Sequence, residues 1–364
     1  MASLGLLVGG PVSQAGTYNA DFNSGVPPSG MALYGTALNY DHSTGGVGGT
    51  GVLKLTDATA SQQGGAIIEE FDGGATIGGF DVTFDLYIGS GNGADGMSFF
   101  FGDFADGAHS EEGPGSISGL TVNFDVYNNG GTPAEGPAID LKWNNVIQIH
   151  RLVGSASTTT GAQPIGALTT IRTQTTTGGA PVYWPVKIHV DTDGTLDLVY
   201  SNVVVYTNVP IFRSITEFTR SSAARFGFAA RTGGSYDNHL IDNLKITTYP
   251  LDASSGQPHL VTCLPLAMLN ATTGNPGSPV AGVQIDLKDW DYSVLAGSLT
   301  MTVNGTTVTP ALNRIGDISW IAYRPASGYL ASGVNTIVVG YKTTSTPALN
   351  NTFTYRPNGP GHHR

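Results

Sequence analysis

Two stretches of the sequence decide the fold. The first is Gly93-Ala-Asp-Gly-Met-Ser-Phe-Phe-Phe101, and the second, further along the chain, is Leu120-Thr-Val-Asn-Phe-Asp-Val-Tyr-Asn-Asn129. Three consecutive phenylalanines cover both faces of a strand, because strand side chains alternate with a period of two. The same alternation places Asn123, Asp125 and Tyr127 on one face of the second segment. Polar groups buried without partners lower stability. We therefore expect these side chains to contact each other, an ion or a polar ligand.

The composition predicts an all-β protein. Only 12% of the residues are charged, and 51 are glycine. Short runs rich in β-branched and aromatic residues, such as Val82–Ile88 and Val186–Val190, are separated by clusters of Gly, Asn and Asp. This pattern is typical of antiparallel sandwiches and barrels. The chain has no long amphipathic helical segment.

Charge and cysteine content exclude several classes of protein. The formal net charge of −11 argues against nucleic-acid binding, which requires clustered Lys and Arg, and is compatible with a soluble neutral partner such as a sugar. The single cysteine, Cys263, excludes a disulfide framework within one chain. We expect it to pack as a small hydrophobic residue. No apolar run is long enough to span a membrane, so no membrane insertion is expected.

Two sandwich domains are predicted from the spacing of strands and linkers. The N-terminus resembles the end of a secretory signal, with a short apolar core before Ser13 and Ala15. Because the basic segment that precedes such a core is missing, an ordinary apolar N-terminal strand is the alternative. The predicted segments are a signal-peptide remnant at 1–15, a first sandwich at 16–249, a linker at 250–258, a second sandwich at 259–356 and a disordered tail at 357–364.

The second predicted domain has its strongest local signal at Asn304-Gly305, which is typical of a two-residue hairpin turn. Strand-like runs surround it, among them Gln284–Leu287, Ser319–Tyr323 and Asn335–Tyr341. About a hundred residues with this strand spacing indicate an Ig-like sandwich.

Three segments, taken in order, resemble the L-type lectins, the group that contains legume lectins and secretory-pathway cargo lectins. They are Ala94–Phe100, then Val122–Asn129 with Ala138–Asp140, and then Gly227–Gly234. Their order and spacing match that family. The resemblance implies a concanavalin A-like antiparallel β-sandwich (jelly roll). Asp237–Lys245 also resembles secreted bacterial members of this superfamily.

The resemblance also implies a carbohydrate-binding site. In that site the Asp95 carboxylate accepts hydrogen bonds from two sugar hydroxyls, and loop N–H groups donate to the sugar. The Tyr127 ring lies against the apolar face of the sugar, and the Asn129 side chain donates a hydrogen bond. The implied carbohydrate-binding residues are Asp95, Gly96, Tyr127, Asn129, Gly233, Gly234 and Ser235.

The metal site of the family is only partly retained. The resemblance implies calcium ligands at Asp125, the Tyr127 carbonyl and Asn129, with Glu135 as the nearest further carboxylate. The family's glutamate for a second, transition metal is Asn123 here, and its histidine falls near Gly136. We therefore expect no transition metal and weak calcium binding at most, because calcium affinity follows the number of charged oxygen ligands. The alternative is a polar cluster that binds nothing.

The predicted function is that of a secreted or cell-surface carbohydrate-binding protein that is not an enzyme. A structural or adhesion protein without a sugar site is the alternative. A glycoside hydrolase is less favoured, because retaining hydrolysis needs two adjacent carboxylates and the nearest match, Glu70-Phe-Asp-Gly-Gly-Ala75, lacks the final glutamate. Arg231 is expected either to pair with a carboxylate near the site or to be an exposed surface arginine.

Overall fold

The structure is a computed structural model. It describes residues 15–38, 45–74, 76–130, 136–154, 168–175, 180–192, 194–211, 224–251, 257–269, 276–289, 292–316, 318–326, 330, 335–345, 348 and 350–355. Of the predicted segments, residues 1–14, the tail at 357–364, most of the linker and Glu135 lie outside these ranges.

The chain divides into two compact units, which are described separately. The large unit comprises Ser13–Phe212 and Thr216–Leu251, and the small unit is formed mainly by Asp252–Arg364. The strands of the large unit are β1 (Gly16–Ala20), β2 (Met31–Gly35), β3 (Leu53–Thr56), β4 (Gln63–Ile68), β5 (Ile77–Gly89), β6 (Gly96–Phe104), β7 (Ile117–Asp125), β8 (Ala138–Trp143), β9 (Val146–Leu152), β10 (Trp184–Val190), β11 (Thr195–Tyr200), β12 (Val203–Pro210), β13 (Arg225–Arg231) and β14 (Asn238–Pro250). Short 3-10 turns occur at Thr36–Leu38 and Val47–Gly49.

The large unit is built from two seven-stranded antiparallel sheets. The front sheet has the order β2-β4-β13-β6-β7-β8-β9. The back sheet has the order β1-β14-β5-β10-β11-β12, with β3 pairing to β14. The predicted all-β antiparallel sandwich is therefore confirmed for this unit.

The core of the large unit lies between the two sheets. Phe80 of the back sheet packs against Phe99 and Phe101 of the front sheet, at ring-centroid distances of 6.1 and 5.0 Å. Phe84 packs edge-on against Phe228 at 5.2 Å. Each fully buried aromatic or aliphatic side chain stabilises the fold by about 1.5–3 kcal/mol. The alternation of side chains therefore sends Phe99 and Phe101 inward and Phe100 to the other face of the front sheet.

The outer face of the front sheet has an apolar cluster around Phe100 and a polar part on β6, β7 and β8, and the loop between β6 and β7 lies over the polar part. Ser98 of β6 lies opposite Asn123 of β7, which lies opposite Asp140 of β8. Residues directly opposite one another on neighbouring strands share a face. The loop is held down because the Ser98 hydroxyl donates to the Ser110 carbonyl at 3.2 Å. Of the polar side chains expected on one face of β7, Asn123 faces this loop, since its Nδ2 donates to Glu112 Oε2 at 2.8 Å.

The small unit contains two four-stranded antiparallel sheets, with the orders β15-β16-β20-β19 and β18-β17-β21-β22. Its strands are β15 (His259–Leu269), β16 (Pro276–Lys288), β17 (Thr300–Val303), β18 (Thr306–Val308), β19 (Ala311–Ile315), β20 (Ile318–Tyr323), β21 (Ile337–Lys342) and β22 (Asn350–Tyr355), with a 3-10 turn at Ala296–Ser298. The hairpin predicted at Asn304-Gly305 is confirmed, because β17 pairs with β18 around it. The Ig-like assignment of this unit stays a prediction.

Within the part of the chain that the structure describes, no helix has the length and apolar character needed to cross a membrane. Cys263 lies on β15, and its side chain is outside the described part of the structure.

Candidate functional site

Three strand ends meet at one edge of the front sheet. Gly96, the first residue of β6, lies opposite Asp125 at the end of β7 and opposite Arg231 at the end of β13. This follows from antiparallel pairing, in which the start of one strand lies beside the ends of its neighbours. Gly96 has a φ of +149°, and a side chain there would lie 2.3 Å from the Phe124 carbonyl oxygen. Glycine is therefore required for β6 and β7 to approach at this point.

The main chain of Asp95 joins the neighbouring strand ends. Its N–H donates to the Arg231 carbonyl at 3.1 Å, and its own carbonyl accepts from the N–H groups of Val126 and Tyr127 at 2.9 and 3.0 Å. The Ala94–Asp95 peptide bond is cis. Asp95 is thus held between β13 and the segment that follows β7.

The carboxylate of Asp95 is the central acceptor of the site. The residue is 8% exposed, and Arg231 Nη2 lies 3.1 Å from Asp95 Oδ2. Burial raises the pKa of Asp95, while the Arg231 charge and the Gly233 N–H oppose that rise. A side-chain carbon at position 233 would lie only 3.3 Å from each carboxylate oxygen. Glycine at 233 therefore lets the loop approach the carboxylate.

Arg231 has a second carboxylate partner, Glu111. Arg231 Nη2 lies 2.8 Å from Glu111 Oε1. Glu111 is 5% exposed, and its other oxygen, Oε2, has no hydrogen-bond partner among the described residues. Burial raises the pKa of Glu111, and the Arg231 charge opposes that effect. The prediction that Arg231 pairs with a carboxylate near the site is confirmed, whereas Glu111 is a residue that sequence reasoning missed.

Gly233, Gly234 and Ser235 form a loop beside the Asp95 carboxylate. The Gly233 N–H donates to the Ser235 carbonyl at 3.0 Å, and the Gly233 carbonyl accepts from the Ser61 N–H at 3.0 Å. Among the described residues, no protein acceptor binds the N–H groups of Gly234 or Ser235. Gly234 is exposed and Ser235 is half-buried. The loop therefore offers two N–H groups to a ligand next to an anionic acceptor.

A buried ion pair holds this loop and the turn before Asp95 together. Arg172 donates from Nε to Asp237 Oδ2 and from Nη2 to Asp237 Oδ1, both at 2.7 Å. Asp237 Oδ1 also accepts from the Gly91 N–H at 2.9 Å, and Arg172 Nη2 donates to the Gly91 carbonyl at 2.9 Å. Burial raises the pKa of Asp237, and Arg172 opposes that effect. These two residues position the site without facing a ligand.

Tyr127 and Asn129 lie on the solvent side of the same edge. Tyr127 is 39% exposed, which leaves its large aromatic ring open to solvent. Its N–H donates to Asp125 Oδ1 at 3.1 Å as well as to the Asp95 carbonyl. Asn129 is exposed. The structure thus brings Asp95, Tyr127 and the 233–235 loop to one edge, and Asn129 follows two residues after Tyr127.

The donor set for calcium is present in part. A side-chain carbon at Gly136 would lie 2.8 Å from Asp125 Oδ2 and 3.0 Å from the Tyr127 carbonyl oxygen. A carboxylate and a carbonyl oxygen therefore both lie beside Gly136, and hard oxygen ligands of this kind suit Ca²⁺. Calcium takes six to eight oxygen ligands. The described residues contain no group of three His, Cys, Asp or Glu side chains able to hold a metal.

Asn123, where the resemblance implied a lost transition-metal ligand, makes contacts within the protein. Asn123 Nδ2 donates to Glu112 Oε2 at 2.8 Å, and Lys142 Nζ pairs with the same oxygen. Asp140 Oδ1 lies 2.7 Å from His150 Nδ1. A side-chain carbon at Gly136 would lie 2.8 Å from Asp125 Oδ2, so a larger residue there would require the Asp125 side chain to shift. Asn123 is thus partnered by Glu112, and the absence of a transition metal stays a prediction.

The carboxylates considered for hydrolysis lie elsewhere. β4 begins at Gln63, which faces Arg231, and ends at Ile68, so Glu69 and Glu70 lie beyond the opposite end of the sheet. Glu69 pairs with Arg225 at 3.2 Å, and Glu70 Oε1 accepts from the Gly74 N–H at 2.6 Å. At the site itself, Asp95 and Glu111 share one arginine nitrogen. The glutamates considered for hydrolysis therefore lie away from Asp95 and Glu111.

No protein-family model matches the chain, and no curated protein matches it. Solved structures do resemble it. The lumenal domain of VIP36, bound to Ca²⁺ and Man3GlcNAc, is 13% identical with a TM-score of 0.46, covering 66% of this chain and 91% of that chain. The carbohydrate recognition domain of Emp47p is 16% identical with a TM-score of 0.41, covering 66% and 96%. Lectin II from Ulex europaeus is 18% identical with a TM-score of 0.40, covering 66% and 100%.

Proposed function

We propose that the large unit is a carbohydrate-binding, lectin-like domain of a secreted or cell-surface protein, with no enzymatic activity. The observation that supports this most is the combination of groups at one edge of the front sheet. Asp95 supplies an anionic acceptor, Gly234 and Ser235 supply unused N–H donors, and Tyr127 supplies an exposed aromatic ring. A sugar presents hydroxyl donors, oxygen acceptors and one apolar face, and therefore matches all three.

Each group has a defined part in the proposed binding. The Asp95 carboxylate accepts from sugar hydroxyls, and charge-assisted hydrogen bonds of this kind are stronger than neutral ones. The N–H groups of Gly234 and Ser235 donate to sugar oxygens. The Tyr127 ring covers the apolar face and loses water on binding. Pockets of this type use few polar groups to fix orientation.

Calcium assistance is part of the proposal. Asp125 and the Tyr127 carbonyl would hold the ion, with Asn129 and Glu135 as the further oxygen ligands that the resemblance implies. When bound, calcium would supply a positive charge beside the segment after β7. With so few charged ligands, binding is expected to be weak.

The small unit is proposed to be an Ig-like accessory domain. The proposed division into domains is 16–249 and 259–356, joined by a linker at 250–258. Secretion, a bacterial source and the role of 1–15 as a signal remnant belong to the same proposal.

A glycan array tests the function. The whole chain is screened with calcium and again with a chelator, next to Asp95→Ala and Asp103→Ala. Asp103 is exposed at the other end of β6, so it is a matched control on the same strand. Loss of one hydrogen bond to a charged group is worth about 1.5–3 kcal/mol, so Asp95→Ala should weaken binding by about tenfold or more, and Asp103→Ala should not.

The outcomes separate the candidate functions. Unchanged binding by a folded Asp95→Ala protein would show that the sugar site is wrongly placed. No binding by the folded wild-type chain to any glycan would instead favour a structural or adhesion protein.

A further inference from the structure

The charges at the proposed sugar site are not balanced. Asp95, Glu111 and Asp125 are three carboxylates at this edge, and Arg231 is the cation in direct contact with the first two. The adjacent charges cancel each other, because Lys142 pairs with Glu112 and Arg172 pairs with Asp237. Apart from Asp125, whose charge the proposed calcium would offset, Asp95 and Glu111 carry two negative charges against the single positive charge of Arg231.

Arg231 on its own would favour an anionic ligand. Its side chain is 45% exposed, and guanidinium groups recognise carboxylate and sulfate well. Both of its ion pairs, however, use the same nitrogen, Nη2, with Asp95 Oδ2 at 3.1 Å and Glu111 Oε1 at 2.8 Å. One hydrogen of Nη2 is donated to Glu111, and the Asp95 carboxylate lies against the same nitrogen, so this edge of the guanidinium is already faced by two negative charges.

Glu111 is the second carboxylate that holds Arg231. It lies on the loop between β6 and β7 and is nearly fully buried. Its Oε1 accepts a hydrogen bond from Arg231, whereas its Oε2 has no hydrogen-bond partner among the described residues. Without Glu111, the charges of Arg231 and Asp95 would cancel. With Glu111, the guanidinium is held by two carboxylates at once.

We infer that Glu111 is a specificity-determining residue of the proposed sugar site, which makes the site select neutral sugars and reject uronic acids. This inference rests on the proposed function. Glu111 acts through Arg231 and through its negative charge, and it does not touch the sugar.

The size of the effect follows from Coulomb's law. For a uronate carboxylate assumed to lie about 7 Å from Glu111, an effective dielectric constant between about 20 and 80 gives a repulsion that weakens binding about three- to fifty-fold. The repulsion should also decrease with salt, since the screening length falls from about 10 Å at 0.1 M to about 3 Å at 1 M.

The test compares sugars that differ only at C6. Calorimetry at fixed calcium and neutral pH measures the affinities for methyl glucoside, mannoside and galactoside and compares them with the affinities for the corresponding methyl uronides. Wild type should bind the preferred hexoside about three-fold or more tightly than its uronide, and 1 M salt should reduce this ratio. Glu111→Gln should reduce the ratio at low salt, whereas Asp103→Asn, the same charge change at the far end of β6, should leave it unchanged.

Three results would overturn the inference. A uronide that binds wild type more tightly than its hexoside would show that Arg231 receives the anion directly. A ratio that does not respond to salt would exclude a charge effect, and this measurement requires no variant to fold. An unchanged ratio in a folded Glu111→Gln protein would exclude Glu111. If no hexoside and no uronide binds wild type, the proposed function fails together with this inference.

Discussion

Replacing Asp237 with asparagine tests whether the buried ion pair with Arg172 holds the candidate site together. Asp237 is fully buried, and its two oxygens accept from Arg172 at 2.7 Å each and from the Gly91 N–H at 2.9 Å. An asparagine keeps the shape but turns one acceptor into a donor that faces an arginine N–H. The substitution therefore leaves a guanidinium without its counter-charge.

The expected loss of stability is large. Breaking a buried ion pair by removing one partner costs about 3–5 kcal/mol. Because the Arg172 side chain keeps 15% exposure to water, we expect the lower end of that range, about 3 kcal/mol. For a domain of about 150–250 residues, each kcal/mol lowers the melting temperature by about 2–4 °C, so Asp237→Asn should lower it by about 6–12 °C.

The assay is thermal unfolding of the whole chain, with hydrogen exchange of individual amides. Exchange should accelerate at Gly91, Asn92 and Tyr236, whose N–H groups bridge the two loops. Asp106→Asn is the control, because Asp106 pairs with Arg225 on the surface and exposed pairs contribute about 0–1 kcal/mol. If Asp237→Asn lowers the melting temperature no more than the control does, the ion pair does not hold these loops.

Three further predictions concern metal, chemistry and pH. Millimolar calcium should raise the melting temperature by mass action, and Asp125→Asn should remove that rise; stoichiometric manganese or zinc in elemental analysis would contradict the proposed site. Prolonged incubation with β-glucans, xylan and galactans should release no reducing ends, and release that Glu70→Gln abolishes would revive the hydrolase. The hydrogen bond to Asp81 raises the pKa of His189 above 6.5, and although burial acts the other way, bonds from His189 and Tyr249 lower the pKa of Asp81 below 3.8. The His189 contribution to stability is complete below pH 6.5 and is lost as pH rises through its raised pKa, whereas the Asp81 contribution is lost as pH falls through its lowered pKa. His189→Gln should therefore flatten the decrease in the free energy of unfolding above neutral pH. An unchanged dependence of this free energy on pH, measured by urea unfolding, would refute the linkage.

Several strands, and the side chains that share a face on them, could be predicted from the sequence alone. The three phenylalanines of β6, the polar alternation of β7 and the Asn304-Gly305 turn are local patterns, because strand periodicity and turn chemistry act over a few residues. The positions of Asp95 and of Gly233 could be predicted through the resemblance of short segments. The same resemblance predicts that the family's transition-metal ligands are replaced at Asn123 and Gly136.

Only the tertiary structure decided how the charges at the site are paired. Glu111 lies in a loop without periodicity, and its partner Arg231 is 120 residues away in the chain; Arg172 and Asp237 are 65 residues apart. No local pattern selects such partners, because they meet only when β6, β7 and β13 come into register and the intervening loop folds onto the outer face of the sheet. Burial then sets the strength of each ion pair, since removing water is what makes an unpaired charge costly. The strands were therefore predictable from nearest neighbours in sequence, whereas the electrostatics of the site depend on neighbours in space.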